Sequence, residues 1–368
     1  MPILTATGDF AAFFTELFNS ILPVPGVPRP NMPPHPNQQN QYVLPTTPQL
    51  ASWRAVFQSL LAGDWDSANV QAQTISSTYN VVQFLDIRTG RTYYVLMEGV
   101  PGMIPAAVDH REHSVSITEP PLDPTRRGWG TYVFDAQPQR ALSLSAPHLF
   151  DDAETQDEAV NAFLGLRART LLLAGTDRDQ NTADSPCDQE SPTPRPFREA
   201  DVSHTAESVF QMAFEEIYSS DASTWHLQFH GNATCQADVF LSNGVEAARD
   251  IDTFDTLYRL SENIAAASTA AAAGGPDVLT VDVYDNDHDC PLRGTTNMQM
   301  RFASGQPHAS ICHGGVLGPS RFIHVEQSRD ARRAPPPTDP AATLGRNRGV
   351  VVCGILATFP LLSSAARP

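Results

Sequence analysis

From about residue 128 onward the chain alternates short apolar runs with longer amphipathic ones, and most apolar runs end in a polar, ionisable turn. No other feature constrains the fold as strongly. Thr131–Phe134, Ala141–Ala146, Thr170–Ala174, Trp225–Phe229, Val278–Tyr284 and Phe322–Val325 read as strands. Glu154–Arg167, Ser203–Tyr218, Asp252–Ala273 and Gly349–Thr358 carry helical periodicity. Strand–helix alternation predicts an α/β fold, a three-layer sandwich around a mostly parallel or mixed sheet.

The upstream segments read differently. Residues 1–46 are expected to be a largely disordered tail with a Pro-rich stretch at 23–36. Thr47-Pro48 reads as an N-cap with Pro at the first helical position. Trp53, Val56, Phe57, Leu60 and Leu61 then recur at helical spacing, with a second short helix near Asp64–Thr74. Tyr79–Ile87 and Arg91–Glu98 alternate in period two around Arg88-Thr89-Gly90, a hairpin pattern. Residues 47–127 are therefore expected to form a helix-and-hairpin element packed on a main domain at 128–368.

Composition excludes several function classes. Every one of the 24 basic residues is Arg, which rules out Lys-dependent chemistry: a Schiff base, a P-loop or a kinase-type site. A net charge of −17 argues against a phosphate-backbone ligand, so no nucleic-acid partner is expected. No apolar run reaches the length of a membrane span, and the N-terminus lacks the basic region of a secretory signal. The compartment stays open between cytoplasmic and secreted. Five Cys are too scattered for a zinc finger; Cys290 and Cys312 either pair or stay free thiols.

The strand ends carry the chemistry. The carboxyl ends of strands in open α/β sheets converge on ligand sites. Here they deliver Pro147-His148 with Asp151 and Asp152, then Arg178 and Asn181, then His230 and Asn232, then Asp285–His288, and finally Glu326. Two imidazoles and one carboxylate are the ligand set of a catalytic zinc with a position left for water. That makes His148, His230 and either Asp151 or Asp152 the expected ligands of one Zn2+ ion. Glu326 is the expected general base. Arg178 is placed to bind a substrate carboxylate or polarise a carbonyl oxygen.

Ser145-Ala146-Pro147-His148, His230-Gly231 and Phe322-Ile323-His324-Val325-Glu326 resemble the three anchor motifs of the zinc-carboxypeptidase-like hydrolases. Within that superfamily the pattern is most similar to the N-formylglutamate amidohydrolase and poly-γ-glutamate hydrolase groups. The resemblance covers roughly residues 128–330. It implies a zinc-exopeptidase-like fold, His148 and His230 as metal ligands and Glu326 as base. The usual His-x-x-Glu spacing appears here as His148-x-x-Asp151, with Asp152 adjacent and Glu154 two further on. Spacing favours Asp151. Arg178 and Asn181 resemble the groups that hold the substrate carboxylate in these enzymes.

Other candidates are weaker. Asp201 or Ser203 could cap the helix at Ser203–Tyr218, placing His204 as a proton donor and Arg198 as an anion contact. Asp285, Asp287 and Asp289 alternate as in a calcium loop, but the required turn Gly and terminal Glu are missing. His308, Cys312 and His313 lack a second Cys pair. The sequon Asn232-Ala233-Thr234 lies beside His230, where a glycan would block the expected site. Together the residues predict a zinc-dependent hydrolase acting on an amide or peptide bond, of γ-glutamyl or N-acyl amino acid type. An esterase on the same site, or a non-catalytic binding protein, are the alternatives. The substrate is expected to be small or peptide-like and carboxylate-bearing, held by Arg178, Asn181, Arg198 and Asn232. Arg178, Arg198 and Arg293 would have to make a local positive pocket for it.

Overall fold

The computed structural model describes residues 2–21, 42–99, 127–149, 151–181, 183–187, 197–246, 252–273, 275, 277–285, 290–333 and 346–362. The Pro-rich stretch 23–36 and the residues Asp287, His288 and Asp289 lie outside them. The chain is α/β, as the alternation predicts. In order, β1 (Leu4–Gly8), α1 (Phe10–Ile21), α2 (Thr47–Leu61), α3 (Trp65–Ile75), β2 (Tyr79–Asp86) and β3 (Arg91–Glu98) come first. Next are β4 (Thr131–Asp135), β5 (Leu142–Ala146), α4 (Thr155–Leu166), β6 (Thr170–Leu173), α5 (Val209–Ser220), β7 (Trp225–Gly231) and β8 (Val239–Ser242). The last are α6 (Asp252–Ala271), β9 (Val281–Val283), α7 (Met298–Ala303), β10 (Phe322–Gln327), α8 (Arg329–Arg332) and α9 (Arg348–Thr358).

All ten strands join one mixed sheet in the order β1-β2-β3-β4-β6-β5-β7-β10-β8-β9. The adjacent strands β6, β5, β7 and β10 run parallel. Their residues are almost all buried, as a strand covered on both faces requires. Register aligns Ala146 with Leu173 and Glu326 with His230, bringing four strand exits to one edge. β8 runs antiparallel to β10, and β9 parallel to β8, so the exit of β9 at Tyr284-Asp285 lies at the opposite edge. That corrects the expectation that this turn joins the other strand ends.

Period-two alternation decides what each face receives. On β7 and β10, Gln228 and Phe322 face α7 and α5: Gln228 bonds Gln299, and Phe322 packs on Phe214. Gln327 points the other way and bonds Glu158 of α4. Helices therefore cover both faces, α2, α3, α5 and α7 packing together and α1, α4, α6, α8 and α9 forming the other set. The result is three layers.

The N-terminal stretch departs from the expected tail. β1 pairs parallel with β2, and α1 buries Phe10, Phe13 and Phe14 against Phe84, Tyr93 and Phe163. β2 and β3 form the expected hairpin, but inside the same sheet as the later strands. The cap of α2 shifts by one residue: Thr46 is the N-cap, closing a capping box with Gln49.

Candidate metal centre

The turn leaving β5 explains which carboxylate reaches the site. The Asp152 N–H donates to the His148 carbonyl at 2.9 Å, so the chain makes a helical turn there. Residues four apart then stand side by side. Asp152 Oδ2 lies 3.3 Å from His148 Nδ1 and 3.6 Å from His230 Nδ1. Asp151, one residue earlier, faces away and bonds Arg178 Nε at 3.3 Å. Glu154 sits at the N-terminus of α4 with φ 74° and is outside the group.

His148 and His230 present their Nδ1 atoms to each other at 3.2 Å, and both side chains are buried with Asp152. Their far nitrogens are already engaged. His148 Nε2 donates to Asp201 Oδ1 at 3.0 Å, and His230 Nε2 donates to Gln228 Oε1 at 2.9 Å. In their neutral forms both rings therefore carry the hydrogen on Nε2, so two Nδ1 lone pairs and a carboxylate oxygen converge on one point. Lone pairs at such separations repel unless a positive charge sits between them. Tetrahedral bonds of about 2.0–2.1 Å set ligand atoms roughly 3.3 Å apart, close to the observed edges of this triangle. The donor set fits a divalent ion such as zinc, with the carboxylate and amide behind each ring as outer-layer supports.

The local electrostatics agree. Burial disfavours charge on Asp152, yet His148 and His230, when a proton sits on the nitrogens facing it, hold its carboxyl well below the usual range. Burial and Arg178 oppose protonation of His148, but Asp201 and Asp152 outweigh them and push it up to about 9. His230 goes the other way, pushed down to about 4 mainly by burial, so it stays neutral with its lone pair free to bind a cation. Arg178 NH1 also lies 3.2 Å from His148 Nδ1, so the guanidinium and an ion would compete for one lone pair.

Glu326 follows the same alternation on β10. One of its carboxylate oxygens and the ring nitrogens of His230 and His324 lie within 4.8 Å of one another. Its Oε2 and the His324 Nδ1 are buried without hydrogen-bond partners. Burial, then the charge of Asp152, raises the Glu326 carboxyl well above its usual range. Gly231 lets the Arg332 guanidinium pack behind the strand end; a Cβ there would stand 2.3 Å from it.

His204 stays beside the centre, and the other expected residues find separate partners. His204 Nδ1 lies 3.0 Å from Asp201 Oδ1, its ring stacked on Phe197, and burial holds its imidazole below the usual range. It is not at a helix start, because α5 begins at Val209 with Ser208 as N-cap. Asp201 thus supports two imidazoles instead of capping a helix. Asn181 donates to Glu199, and Asn232 accepts the Cys235 N–H. Arg198 pairs with Asp184, and Arg293 stacks on Tyr284 and donates to the Cys290 carbonyl. Arg178, Arg198 and Arg293 thus each meet a different group: Asp151, Asp184 and Tyr284. The cysteines are also corrected: Cys187 pairs with Cys312 and Cys235 with Cys290, leaving Cys353 as the free thiol among the described residues.

Sequence reasoning missed Gln228, His324 and the support role of Asp201. The signal for the first two was present. His226-Leu227-Gln228-Phe229-His230 and Phe322-Ile323-His324-Val325-Glu326 place polar groups on one face of strands too apolar to be exposed.

No protein-family model matches the chain, and no curated protein matches it. Among solved structures, the chain is similar to a metallo-carboxypeptidase from Burkholderia cenocepacia, with 12% identity over 82% of this chain and 68% of that one, at a TM-score of 0.31. A provisionally assigned carboxypeptidase from Burkholderia mallei matches at 13% identity, 82% and 66% coverage and a TM-score of 0.32. A provisionally assigned carboxypeptidase A from Shewanella denitrificans matches at 11%, 80% and 69%, with 0.30. Scores of this size do not establish a shared fold. What the site can do rests on its own geometry.

Proposed function

We propose that this chain is a zinc-dependent hydrolase that cleaves an amide or peptide bond in a small or peptide-like substrate. The supporting observation is the convergence of His148 Nδ1, His230 Nδ1 and Asp152 Oδ2 with edges of 3.2–3.6 Å. When bound, a zinc ion supplies Lewis acidity and a water of lowered pKa. His148, His230 and Asp152 would hold it; Asp151, turned toward Arg178, would not.

Glu326 is the proposed general base. Its carboxyl binds a proton more readily than an exposed Glu, which suits a group that takes a proton from water and hands it to the leaving amine. Arg178, about one-third exposed, is the proposed group for a developing oxyanion or a substrate carboxylate. The unpartnered Asn181 Oδ1 and Asn232 Nδ2 are further candidates for substrate contacts. His204 would steady Asp201. A γ-glutamyl or N-acyl amino acid is the finer proposal for the substrate.

Elemental analysis of purified protein, followed by hydrolysis assays on peptide, N-acyl amino acid and ester panels with and without chelator, tests this reading. One equivalent of zinc and chelator-sensitive amide cleavage are expected. Ester cleavage alone would move the assignment to an esterase. Absence of a stoichiometric ion would overturn the metal-dependent reading.

A further inference from the structure

A row of side-chain amides runs from His230 into the protein on the α5 side of the sheet. His230 Nε2 meets Gln228 Oε1 at 2.9 Å, and Gln228 Nε2 meets Gln299 Oε1 at 3.2 Å. Gln299 Nε2 meets Gln211 Oε1 at 2.8 Å, and Gln211 Nε2 meets Glu215 Oε1 at 3.0 Å. The three Gln side chains have no exposed surface, and Glu215 is 2% exposed.

An amide can be turned end for end, so the direction of this row must come from groups whose character is fixed. Three such groups exist. The Met300 backbone N–H donates to Asn297 Oδ1, so Asn297 Nδ2 is the atom that donates to Gln228, at 2.6 Å. The Val202 carbonyl can only accept, so it receives Gln299 Nε2 at 2.9 Å. The Glu215 carboxylate also only accepts. Burial disfavours its charge, but bonds from His308 and Gln211, with Arg54 beside it, hold this carboxyl below its usual range. All three agree. Every amide shows its oxygen toward His230 and its N–H toward Glu215.

We propose that Gln228, Gln299, Gln211 and Glu215 form a positioning relay that fixes His230 in its Nε2–H tautomer and strengthens Nδ1 as a donor. Aligned hydrogen-bonded dipoles polarise one another, and here the row ends on a negative charge. The ring hydrogen is drawn toward the relay, which leaves more electron density at the opposite nitrogen. Three buried amides from β7, α7 and α5 are costly unless each is satisfied, and this arrangement satisfies all of them in one direction. The tautomer follows from the hydrogen bonds alone. The gain in donor strength rests on the proposed role of His230 as a metal ligand.

Nitrogen-15 ring spectra of the metal-free protein report the tautomer, with His230 assigned through His230→Gln. Zinc affinity by chelator competition reports the donor strength. In the wild type, Nε2 is expected to be protonated. Gln228→Met removes the acceptor beside the ring and is expected to give mixed His230 tautomers. Gln299→Met and Gln211→Met cut the row further out, where Asn297 still orients Gln228, and are expected to keep the tautomer and lower affinity. Outer-layer losses of this kind lower metal affinity about tenfold or more. Glu215→Gln can keep the bonds that Oε1 accepts from Gln211 and His308 while removing the charge and its pair with Arg54; it should keep the tautomer and lower affinity by roughly threefold. A Gln228→Met protein with the wild-type tautomer, or folded Gln299→Met and Gln211→Met proteins with wild-type affinity, would overturn the relay. If neither folds, unchanged affinity in Glu215→Gln overturns the transmission of charge. If the wild type binds no zinc, the hydrolase reading fails, and the tautomer in Gln228→Met still decides whether the row fixes the ring.

Discussion

Asp151 and Asp152 are neighbours in sequence but belong to different partners: Asp152 Oδ2 stands 3.3 Å from His148 Nδ1, while Asp151 Oδ2 stands 3.3 Å from Arg178 Nε. The helical turn closed by the Asp152 N–H separates them. Two similar carboxylates therefore predict opposite outcomes. Asp152→Asn should weaken zinc binding by about two orders of magnitude or more, exceeding the loss expected from an outer-layer partner. Asp151→Asn should leave it within about threefold. Chelator competition on both variants decides, and equal losses would count against the assignment of Asp152.

Glu326 tests chemistry separately from metal retention. Glu326→Gln keeps size and shape but removes the base. It should retain a full equivalent of zinc while kcat falls by about 10²–10⁴-fold. Loss of metal with the substitution would instead make Glu326 part of the binding set.

Glu158 gives the fold a pH dependence of its own. It is fully buried under the sheet, accepts from Gln327 Nε2 at 2.7 Å and leaves Oε1 unpartnered. Burial pushes its carboxyl up to about 8. The folded pKa is above the unfolded one, so this contribution is complete below about pH 4.5 and is lost as pH rises to about 8. Glu158→Gln removes the titration. Between pH 5 and 8 the variant should gain on the wild type by up to about 4 kcal/mol in urea unfolding. Parallel pH–stability curves would show that Glu158 is not the cause.

The cysteine pairing has its own test. Peptide mapping without reduction should recover Cys187 linked to Cys312 and Cys235 linked to Cys290, with Cys353 alkylated. The bridges span 125 and 55 residues of sequence. Removing either should cost about 2–5 kcal/mol. A recovered Cys290–Cys312 peptide would contradict this connectivity.

Much of the architecture was legible because apolar period sets secondary structure locally. β5, β6 and β10 and helices α4 and α6 fall within a few residues of their apolar patterns. β1 was not legible: Leu4–Gly8 is short and rich in small residues, and only pairing with β2 makes it a strand. α5 begins at Val209, later than its pattern suggests, because Asp201 and His204 serve the site and Ser208 takes the cap.

His148, His230 and Glu326 could be singled out in the sequence because each stands where an apolar strand ends, a local property. Spacing alone favoured Asp151 over Asp152. It also left Cys290 and Cys312 open between a pair and free thiols and gave no role to Gln228 or Gln299. Those choices belong to the tertiary structure, since the direction of a side chain after a turn and the partner it meets depend on chain segments far away. A residue's chemistry is written where it stands; which lone pairs converge is decided only when the sheet sets its register and the helices close over both faces.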